Sequence, residues 1–412
     1  MGEASKFTVV TEGTITTPQG FKAGGLHCGL KKTSRNDLGA IVCEVPAVAA
    51  AVYTLNLVQA APLKVTRQSL ASGDGQLLRA VVVNSGNANA CTGKQGEEDA
   101  YAMRAAAAEA FGLQPEEVAV ASTGVIGELL PMERVNAGIQ KLPAALSAAA
   151  DGADEFCQAI LTTDLVKKEV CVTLNVDGRK VSIAGAAKGS GMIHPNMATM
   201  LGFVTTDAVV DPAALQGLLG ATTDVTFNMI TVDGDTSTND MLLAMSSGLA
   251  GNERLTPEHP DWDPFAAAFR YVCEYLAKAI ARDGEGASRL VEVNVQGAIS
   301  DLSARAIAKT VIGSSLVKSA VFGADANWGR IIAAVGRAGE PVNPETVDIS
   351  LGSINVLTGS RPIPFDEDEA LAYLQGDTVV IQVHLHHGDG QATAWGCDLT
   401  YDYVRINAAY RT

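Results

Sequence analysis

The chain contains an unusual segment at residues 186–203, with the sequence AAKGSGMIHPNMATMLGF. It starts as a glycine-rich loop after Lys188 and becomes an apolar strand at Thr199, which follows the small residue Ala198. A threonine hydroxyl in this position can attack the Ala198 carbonyl, move the acyl group from nitrogen to oxygen, and leave an ester that water hydrolyses. The pattern therefore suits a chain that cleaves itself between Ala198 and Thr199.

Cleavage at this bond would also give the Thr199 hydroxyl its own base. The freed α-amine has an unperturbed pKa of about 8 and can accept the hydroxyl proton during an attack, so no His–Asp pair is needed. Two plainer interpretations stay open at this point. Thr199 is also compatible with an ordinary strand residue, and the glycine-rich loop with a phosphate-binding loop, although the full P-loop spacing is absent.

Composition restricts the classes of function. The 412 residues are 47% hydrophobic, which allows a sizeable core in one large α/β body or in two lobes. The formal net charge of −16 argues against nucleic acid or an anionic membrane as a partner, because phosphate binding needs a basic surface.

Metal binding and export are also unexpected from the sequence. The seven cysteines are scattered without zinc-ligand spacing, which favours buried free thiols in a reducing cytosol. His384, His386 and His387 alternate around a predicted surface strand and lack a carboxylate or thiol at ligand spacing. No signal peptide is evident, and no apolar run reaches the roughly 18 residues of a membrane helix. We expect a cytoplasmic protein without a metal.

Hydrophobic periodicity predicts strands alternating with alanine-rich helices, which indicates an α/β or α+β fold. Strands are predicted at 78–83, 118–121 and 291–295, and a hairpin around a turn at 177–178 leads to Lys188. Residues 84–89 are predicted to be a polar loop, and a helix is predicted over 97–111 with acidic residues in its first turn. A second helix is predicted to begin with Asp263 as its N-cap and Pro264 at its first position.

Seven further runs extend the pattern of residues 186–203 over nearly the whole chain. They are GFKAGG (20–25), NSGNANACTG (84–93), STGVIG (122–127), TVDGDTSTND (231–240), DGEGA (283–287), GADANWGR (323–330) and INAAYRT (406–412). In this order they resemble the ornithine acetyltransferase family of arginine biosynthesis, in which a lysine, a glycine-rich loop and NMATML precede and include the nucleophile. The resemblance implies an α/β sandwich of the N-terminal-nucleophile type.

The resemblance also implies roles for particular residues. Thr199 is the implied nucleophile, and Thr123 and Gly124 match the family's oxyanion hole, where a hydroxyl and a backbone N–H stabilise a tetrahedral intermediate. Without the family, Ser122-Thr123-Gly124 is simply a common turn. The implied substrate contacts are Thr162 (or its neighbour Thr163), Lys188, Thr199, Glu285, Asn407 and Thr412.

The reaction implied by the resemblance is a ping-pong transfer. N-acetylornithine acetylates Thr199, ornithine leaves, and glutamate accepts the acetyl group to give N-acetylglutamate. Self-cleavage would give an α chain of residues 1–198 and a β chain of residues 199–412, assembled as two α and two β chains. No cofactor is needed, although acetyl-coenzyme A is a possible second acetyl donor in a bifunctional enzyme.

Other interpretations predict different behaviour. A self-processing aminopeptidase or amidase would share the nucleophile and hydrolyse its substrate instead of transferring the acyl group. For a binding protein that retains the scaffold, Thr199→Ala would have no effect on any turnover. An acetyltransferase of the common nucleotide-binding type is disfavoured, because its Arg/Gln-x-x-Gly-x-Gly/Ala loop is absent from the sequence.

Overall fold

The computed structural model describes residues 7–72, 77–194 and 200–409. The strands are β1 (Thr8–Val9), β2 (Phe21–Leu26), β3 (Leu38–Tyr53), β4 (Leu77–Asn87), β5 (Val118–Val125), β6 (Lys168–Val176), β7 (Arg179–Lys188), β8 (Leu201–Thr206), β9 (Ile230–Thr231), β10 (Met241–Ser246), β11 (Leu290–Ala298), β12 (Asp348–Leu351), β13 (Ile354–Thr358), β14 (Arg361–Pro362), β15 (Thr378–His384) and β16 (Gly390–Cys397). The helices are α1 (Ala61–Ser72), α2 (Gly93–Phe111), α3 (Met132–Ile139), α4 (Leu142–Ala145), α5 (Ala150–Ile160), α6 (Pro212–Val225), α7 (Trp262–Arg282), α8 (Asp301–Ile312), α9 (Ser315–Phe322), α10 (Trp328–Gly336), α11 (Glu367–Leu374) and α12 (Tyr401–Ala408).

These elements form two compact units. Composition allows one large α/β body or two lobes, and the chain has two lobes. The described residues of the first unit fall within Met1–Gly189, Asn196–Asp224 and Thr236–Leu276, and those of the second within Ser190–Pro195, Val225–Asp235 and Ala277–Thr412. The chain passes between the units several times. The predicted α and β chains would therefore each contribute to both units.

The first unit is built on a nine-stranded mixed sheet in the order β1-β6-β7-β8-β10-β3-β4-β5, with β2 paired to β3. Most neighbours are antiparallel, whereas β10 pairs parallel with β8, and β4 pairs parallel with β5. Side chains of β4 alternate between the faces: Ala80 and Val82 pack with α1, α2 and α3, and Val81 and Val83 pack with α5. Helices therefore cover both faces of this part of the sheet.

The second unit contains a seven-stranded sheet in the order β14-β13-β12-β15-β11-β16-β9. Strand β11 lies near its centre, antiparallel to β16 and parallel to β15. Its alternating Val291, Val293 and Val295 are all buried. The α/β expectation is confirmed in both units, and no described helix has the length and apolarity to cross a bilayer.

Most predicted elements are present, with displaced ends. The strands at 78–83, 118–121 and 291–295 lie within β4, β5 and β11, and the hairpin turns at 177–178 between β6 and β7 as expected. The polar loop predicted at 84–89 is wrong for its first four residues, because β4 continues to Asn87 by pairing with β5. The same pairing carries β5 through residues 122–125, so STG is strand and not the common turn.

Both predicted helix starts are also wrong. Helix α2 begins at Gly93, before the predicted residue 97, and the acidic residues therefore lie beyond its first turn. There the Asn89 side-chain amide donates to the Gly96 carbonyl over 2.8 Å and holds the entry to the helix. Helix α7 begins at Trp262, so Asp263 lies inside its first turn and is not the N-cap.

Helix α5 lies close to the sheet because β2 offers it small residues. Phe156 of α5 is fully buried and meets the Phe203 ring edge-on, with ring centroids 5.4 Å apart. A β-carbon at Gly25 of β2 would lie 2.1 Å from the backbone carbonyl oxygen of Glu155. The glycines of the GFKAGG run therefore permit a backbone-to-backbone approach that no other residue allows.

Replacing Gly25 should destabilise the first unit. We expect Gly25→Ala to lower the free energy of unfolding by about 1–3 kcal/mol, because the new methyl group overpacks the contact with α5. The matched control is Gly217→Ala in α6, where a β-carbon would meet nothing within 4 Å. The control should stabilise the protein by about 0.5–1 kcal/mol through helix propensity. Urea unfolding measures both, and equal stability of the two variants would contradict the packing argument.

Candidate active site

The predicted oxyanion-hole residues lie at the carboxyl end of β5. Ser85 and Gly86 of β4 are the register partners of Thr123 and Gly124. Gly124 has a φ of 134°, and a β-carbon there would lie 2.3 Å from the carbonyl carbon of Gly86. Glycine is therefore required at position 124, both for its backbone conformation and for the close approach of the two strands.

A buried amide network holds these strand ends in place. The Ser122 hydroxyl donates to the Asn84 side-chain oxygen over 2.6 Å, and the Asn84 amide donates to the Asn87 carbonyl over 2.9 Å. The Asn239 amide donates to the carbonyls of Ser122 (2.9 Å) and Ala88 (2.5 Å). The asparagine-rich run at 84–93 therefore has a structural use, since unpaired polar groups here would be costly.

Thr162 and Lys188, two predicted substrate contacts, both lie beside Asp164, a residue to which the sequence analysis assigned no role. Asp164 is fully buried, and one carboxylate oxygen accepts the Lys168 ammonium over 2.7 Å and the Gly189 backbone N–H over 2.6 Å. The other oxygen accepts the Thr162 backbone N–H over 3.0 Å. Asp164 thus ties the turn after α5 to the end of β7, and its position inside the LTTD run was the only signal for it.

Charge keeps Asp164 ionised. Burial acts to raise its pKa, but the positive charges of Lys188 and Lys168 and the hydrogen bonds outweigh burial and hold the pKa well below its usual range. Lys188 is itself only 7% exposed. A buried ammonium beside a carboxylate that already has other donors can offer its charge to an anionic ligand.

The two parts of the site in the first unit are connected through β4 and α5. The Ser85 hydroxyl donates to the Ala159 carbonyl over 2.5 Å, next to the last residue of α5. Ser85 also pairs with Thr123, and Thr162 follows the end of α5. The end of α5 and the turn after it therefore connect the strands of the predicted oxyanion hole to the Asp164 cluster. The structure orients the Thr162 hydroxyl towards Asp164, while the choice between Thr162 and Thr163 as substrate contact stays a prediction.

In the second unit Glu285 and Asn407 are in contact. Glu285 is 7% exposed, not a solvated loop acid, and its carboxylate accepts the Asn407 side-chain amide over 2.8 Å. Its backbone N–H donates to the Ser190 carbonyl over 2.9 Å. A β-carbon at Gly191 would lie 2.3 Å from the Glu285 carboxyl carbon, so the glycine-rich loop leaves room for this acid.

Asp233 fixes the last described residues of that loop. Its carboxylate accepts the backbone N–H groups of Met192 (2.6 Å) and Ile193 (2.8 Å), and Met192 takes a left-handed φ of 55°. Burial first, and then the charge of Lys309, lower the pKa of the following His194 to about 4. The imidazole of His194 is therefore neutral at pH 7. Ala198, Thr199 and Thr412 lie outside the described residues, so their predicted roles stay predictions.

One group of side chains elsewhere in the first unit has the spacing of metal ligands. Single ligand atoms of Asp177, His259 and Asp261 lie within 4.8 Å of one another. Asp177 donates its backbone N–H to the Asp261 carboxylate over 3.0 Å, and Glu253 donates its own to the Asp177 carboxylate over 3.0 Å. These hydrogen bonds support the turn between β6 and β7, and they account for the proximity of the two aspartates without a bound ion.

Comparison with known proteins places these residues in a family. A family model described as the ArgJ family matches residues 22–412. The chain is 60% identical over 410 residues to the arginine biosynthesis bifunctional protein ArgJ of Geobacillus kaustophilus, covering 100% of this chain and 99% of that protein. It is 55% identical to the Bacillus subtilis protein of the same name, covering 98% of each. A chain of the argJ crystal structure from Bacillus halodurans is 62% identical, with a TM-score of 0.50, and covers 50% of this chain and 98% of that chain.

Removing the charge of Asp164 should be strongly destabilising. Asp164→Asn removes the carboxylate that forms the buried ion pair with the Lys168 ammonium, so we expect the free energy of unfolding to fall by about 3–5 kcal/mol at pH 7. The matched control is Asp154→Asn, which breaks the exposed ion pair with Lys167 and should change it by less than about 1 kcal/mol.

The pH dependence of this effect follows from the low pKa of Asp164. A carboxyl whose pKa is depressed by folding adds stability above its unfolded pKa of about 3.9, and this stability is lost as the pH falls through the folded pKa. The difference between wild type and Asp164→Asn should therefore shrink below about pH 4. Urea unfolding at a series of pH values measures it, and a difference that does not depend on pH would contradict the assignment.

Proposed function

Because this chain belongs to the ArgJ family, we propose that it transfers the acetyl group of N-acetylornithine to glutamate, and that it also acetylates glutamate from acetyl-coenzyme A. Family membership confirms the resemblance seen in the sequence and the assignment to a bifunctional enzyme of arginine biosynthesis. The names of the curated relatives support both the glutamate N-acetyltransferase and the amino-acid N-acetyltransferase activity.

The observation that carries the proposal is the buried cluster in which Asp164 joins Thr162 to the end of β7. Lys188 is buried in this cluster, and every amino-acid substrate and product of the reaction carries an α-carboxylate that its ammonium can bind. In the second unit Glu285, held by Asn407, is the acceptor that would pair with an amine of ornithine. We propose Thr162, Lys188, Glu285, Asn407 and Thr412 as substrate contacts, with Thr199.

The proposed chemistry proceeds in two acyl transfers. The Thr199 α-amine takes the hydroxyl proton while the oxygen attacks the acetyl carbonyl, and Thr123 and Gly124 stabilise the oxyanion. Collapse of the intermediate passes the proton to the departing amine of ornithine and leaves acetyl-threonine. The glutamate amine then attacks this ester and gives a proton to the Thr199 α-amine, which passes it to the departing Thr199 oxygen, so that the hydroxyl is restored and N-acetylglutamate leaves. Acetyl-coenzyme A would acetylate the same hydroxyl, and the proposal requires no metal and no bound cofactor.

Self-cleavage between Ala198 and Thr199 is part of the proposal, because an N-terminal amine must be created before Thr199 has this base. The solved Bacillus halodurans chain, which aligns over 98% of its own length with only 50% of this chain, supports a family whose members occur as two chains. Here these would be residues 1–198 and 199–412, assembled as two α and two β chains. A cytoplasmic location also stays a prediction.

The mass of the denatured protein tests the cleavage. Wild type should give two chains, residues 1–198 and 199–412, and Thr199→Ala should give one uncut chain, because no other hydroxyl takes over the attack at that bond. An uncut wild type, or cleavage at another bond, would contradict the assignment of the nucleophile.

Product analysis separates the transferase from the alternative aminopeptidase or amidase. With N-acetylornithine and glutamate present, the cleaved wild type should form N-acetylglutamate in clear excess over free acetate. Formation of acetate regardless of glutamate would favour the hydrolase instead.

Displacing Glu285 should weaken the binding of N-acetylornithine. In Gly191→Ala the new methyl group must push the carboxylate aside, and Glu285→Gln removes its charge in place. Loss of a hydrogen bond to a charged group costs about 1.5–3 kcal/mol, so KM for N-acetylornithine should rise about tenfold to 150-fold in both variants. Gly220→Ala, where a β-carbon meets nothing within 4 Å, is the control. Steady-state kinetics on fully cleaved samples measures this, and an unchanged KM in Glu285→Gln would remove Glu285 from the site.

A further inference from the structure

Lys31 occupies a rigid turn that none of the predicted roles explains. The carboxylate of Asp37 accepts the backbone N–H groups of Cys28 (2.7 Å), Gly29 (3.2 Å), Leu30 (2.8 Å) and Lys31 (3.0 Å). The turn thus closes around one buried acid, and the backbone of Lys31 is fixed by it. Such a turn can place a side chain with the accuracy that ligand binding needs.

The side chain of Lys31 lies beside the strand end that carries the predicted oxyanion hole. A β-carbon at Gly86 of β4 would lie 3.4 Å from Lys31 Cγ, and Gly86 is the register partner of Gly124 on β5. The Lys31 ammonium is half-buried and donates to the Asn36 carbonyl over 2.6 Å. An ammonium has three N–H donors, so this bond leaves donors for a ligand.

The charges acting on Lys31 link it to the Asp164 cluster. Burial is the main influence and lowers the pKa of Lys31 to about 8; Asp37 and Asp164 act to raise this pKa, and Arg35 and Lys188 act to lower it. After burial, Asp37 has the largest influence on this pKa, and the His27 imidazole also lies 2.9 Å from the Asp37 carboxylate. Lys31, Lys168 and Lys188 are therefore three cations beside two buried carboxylates, those of Asp37 and Asp164, and Lys168 is bound to Asp164 directly.

This balance leaves an excess of positive charge at the strand ends of the first unit. A site where cations outnumber carboxylates is stabilised by an anionic ligand. Of the two amino acids in the proposed reaction, glutamate carries two carboxylates and ornithine carries one. Lys188 suffices for the α-carboxylate that both possess, and a second cation is needed only for glutamate.

We propose that Lys31 is a specificity-determining residue, whose ammonium binds the side-chain carboxylate of the acceptor glutamate. The inference rests on the proposed function and deepens it by assigning the acceptor subsite.

The test compares Lys31→Met, Lys31→Arg and the control Lys32→Met, which removes the exposed neighbouring charge. In Lys31→Met, KM for glutamate should rise about tenfold or more, because a charge-assisted hydrogen bond is lost, with KM for N-acetylornithine within about threefold of wild type. Lys31→Arg should retain most of the glutamate affinity, and Lys32→Met should match wild type. Thermal unfolding confirms that the variants are folded.

A second readout is the pH dependence of glutamate binding, followed by calorimetry. In wild type the dissociation constant should increase as the pH rises through about 8, and Lys31→Arg should reduce this increase, because arginine keeps its charge. The Thr199 α-amine, with an unperturbed pKa of about 8, contributes equally to both profiles. A structural role of Lys31 would not move this profile.

The outcomes separate the two proposals. A wild type that makes N-acetylglutamate, with Lys31→Met showing an unchanged KM for glutamate or an equal rise in both KM values, overturns the Lys31 assignment alone. A wild type that binds glutamate without transferring acetyl to it overturns the proposed function, while the binding data still decide on Lys31. A wild type that does not bind glutamate overturns both.

Discussion

The buried carboxylate of Asp164 is the interaction on which the first unit's part of the site depends. It binds the Lys168 ammonium, the Gly189 backbone and the Thr162 backbone at once. Burying an unpaired charge costs several kcal/mol, so a change in any of these contacts exposes the rest to that penalty. Because losing one of these contacts is unfavourable, the strand end that carries Lys188 is held in a fixed position. A lysine on an unrestrained glycine loop would move freely.

Carboxylates also make fixed contacts in the second unit, but one of them is a proposed ligand-binding group. Asp233 accepts two backbone N–H groups of the loop before residue 195, and Glu285 is held by Asn407 and by the absence of a side chain at Gly191. Asp164 orders cations around itself, whereas Glu285 is the group that we propose binds the amine of a ligand. Amino-acid substrates carry both a carboxylate and an amine, and these two kinds of group are complementary to them.

Glycine has separate functions along the chain, and only the structure distinguishes them. Gly25 permits α5 to approach the sheet, Gly124 allows β5 to approach β4 at positive φ, and Gly191 leaves room for Glu285. Each is part of a run that contributed to the family resemblance. The runs look alike as sequence, but their glycines have different roles. Gly25 allows helix packing, Gly124 allows the backbone conformation at the predicted oxyanion hole, and Gly191 leaves space for a candidate ligand-binding group.

The sequence by itself determined the alternation of strands and helices, the hairpin that leads to Lys188, and the family, because periodicity, turn residues and ordered motifs are local properties of a chain. It misplaced the ends of β4, β5 and α2, since strand length depends on pairing with a neighbour distant in sequence. Only the tertiary structure revealed Asp164 and Lys31 as parts of one charged cluster: they are separated by more than a hundred residues, and their shared burial and mutual electrostatics arise only when the strands and α5 pack together.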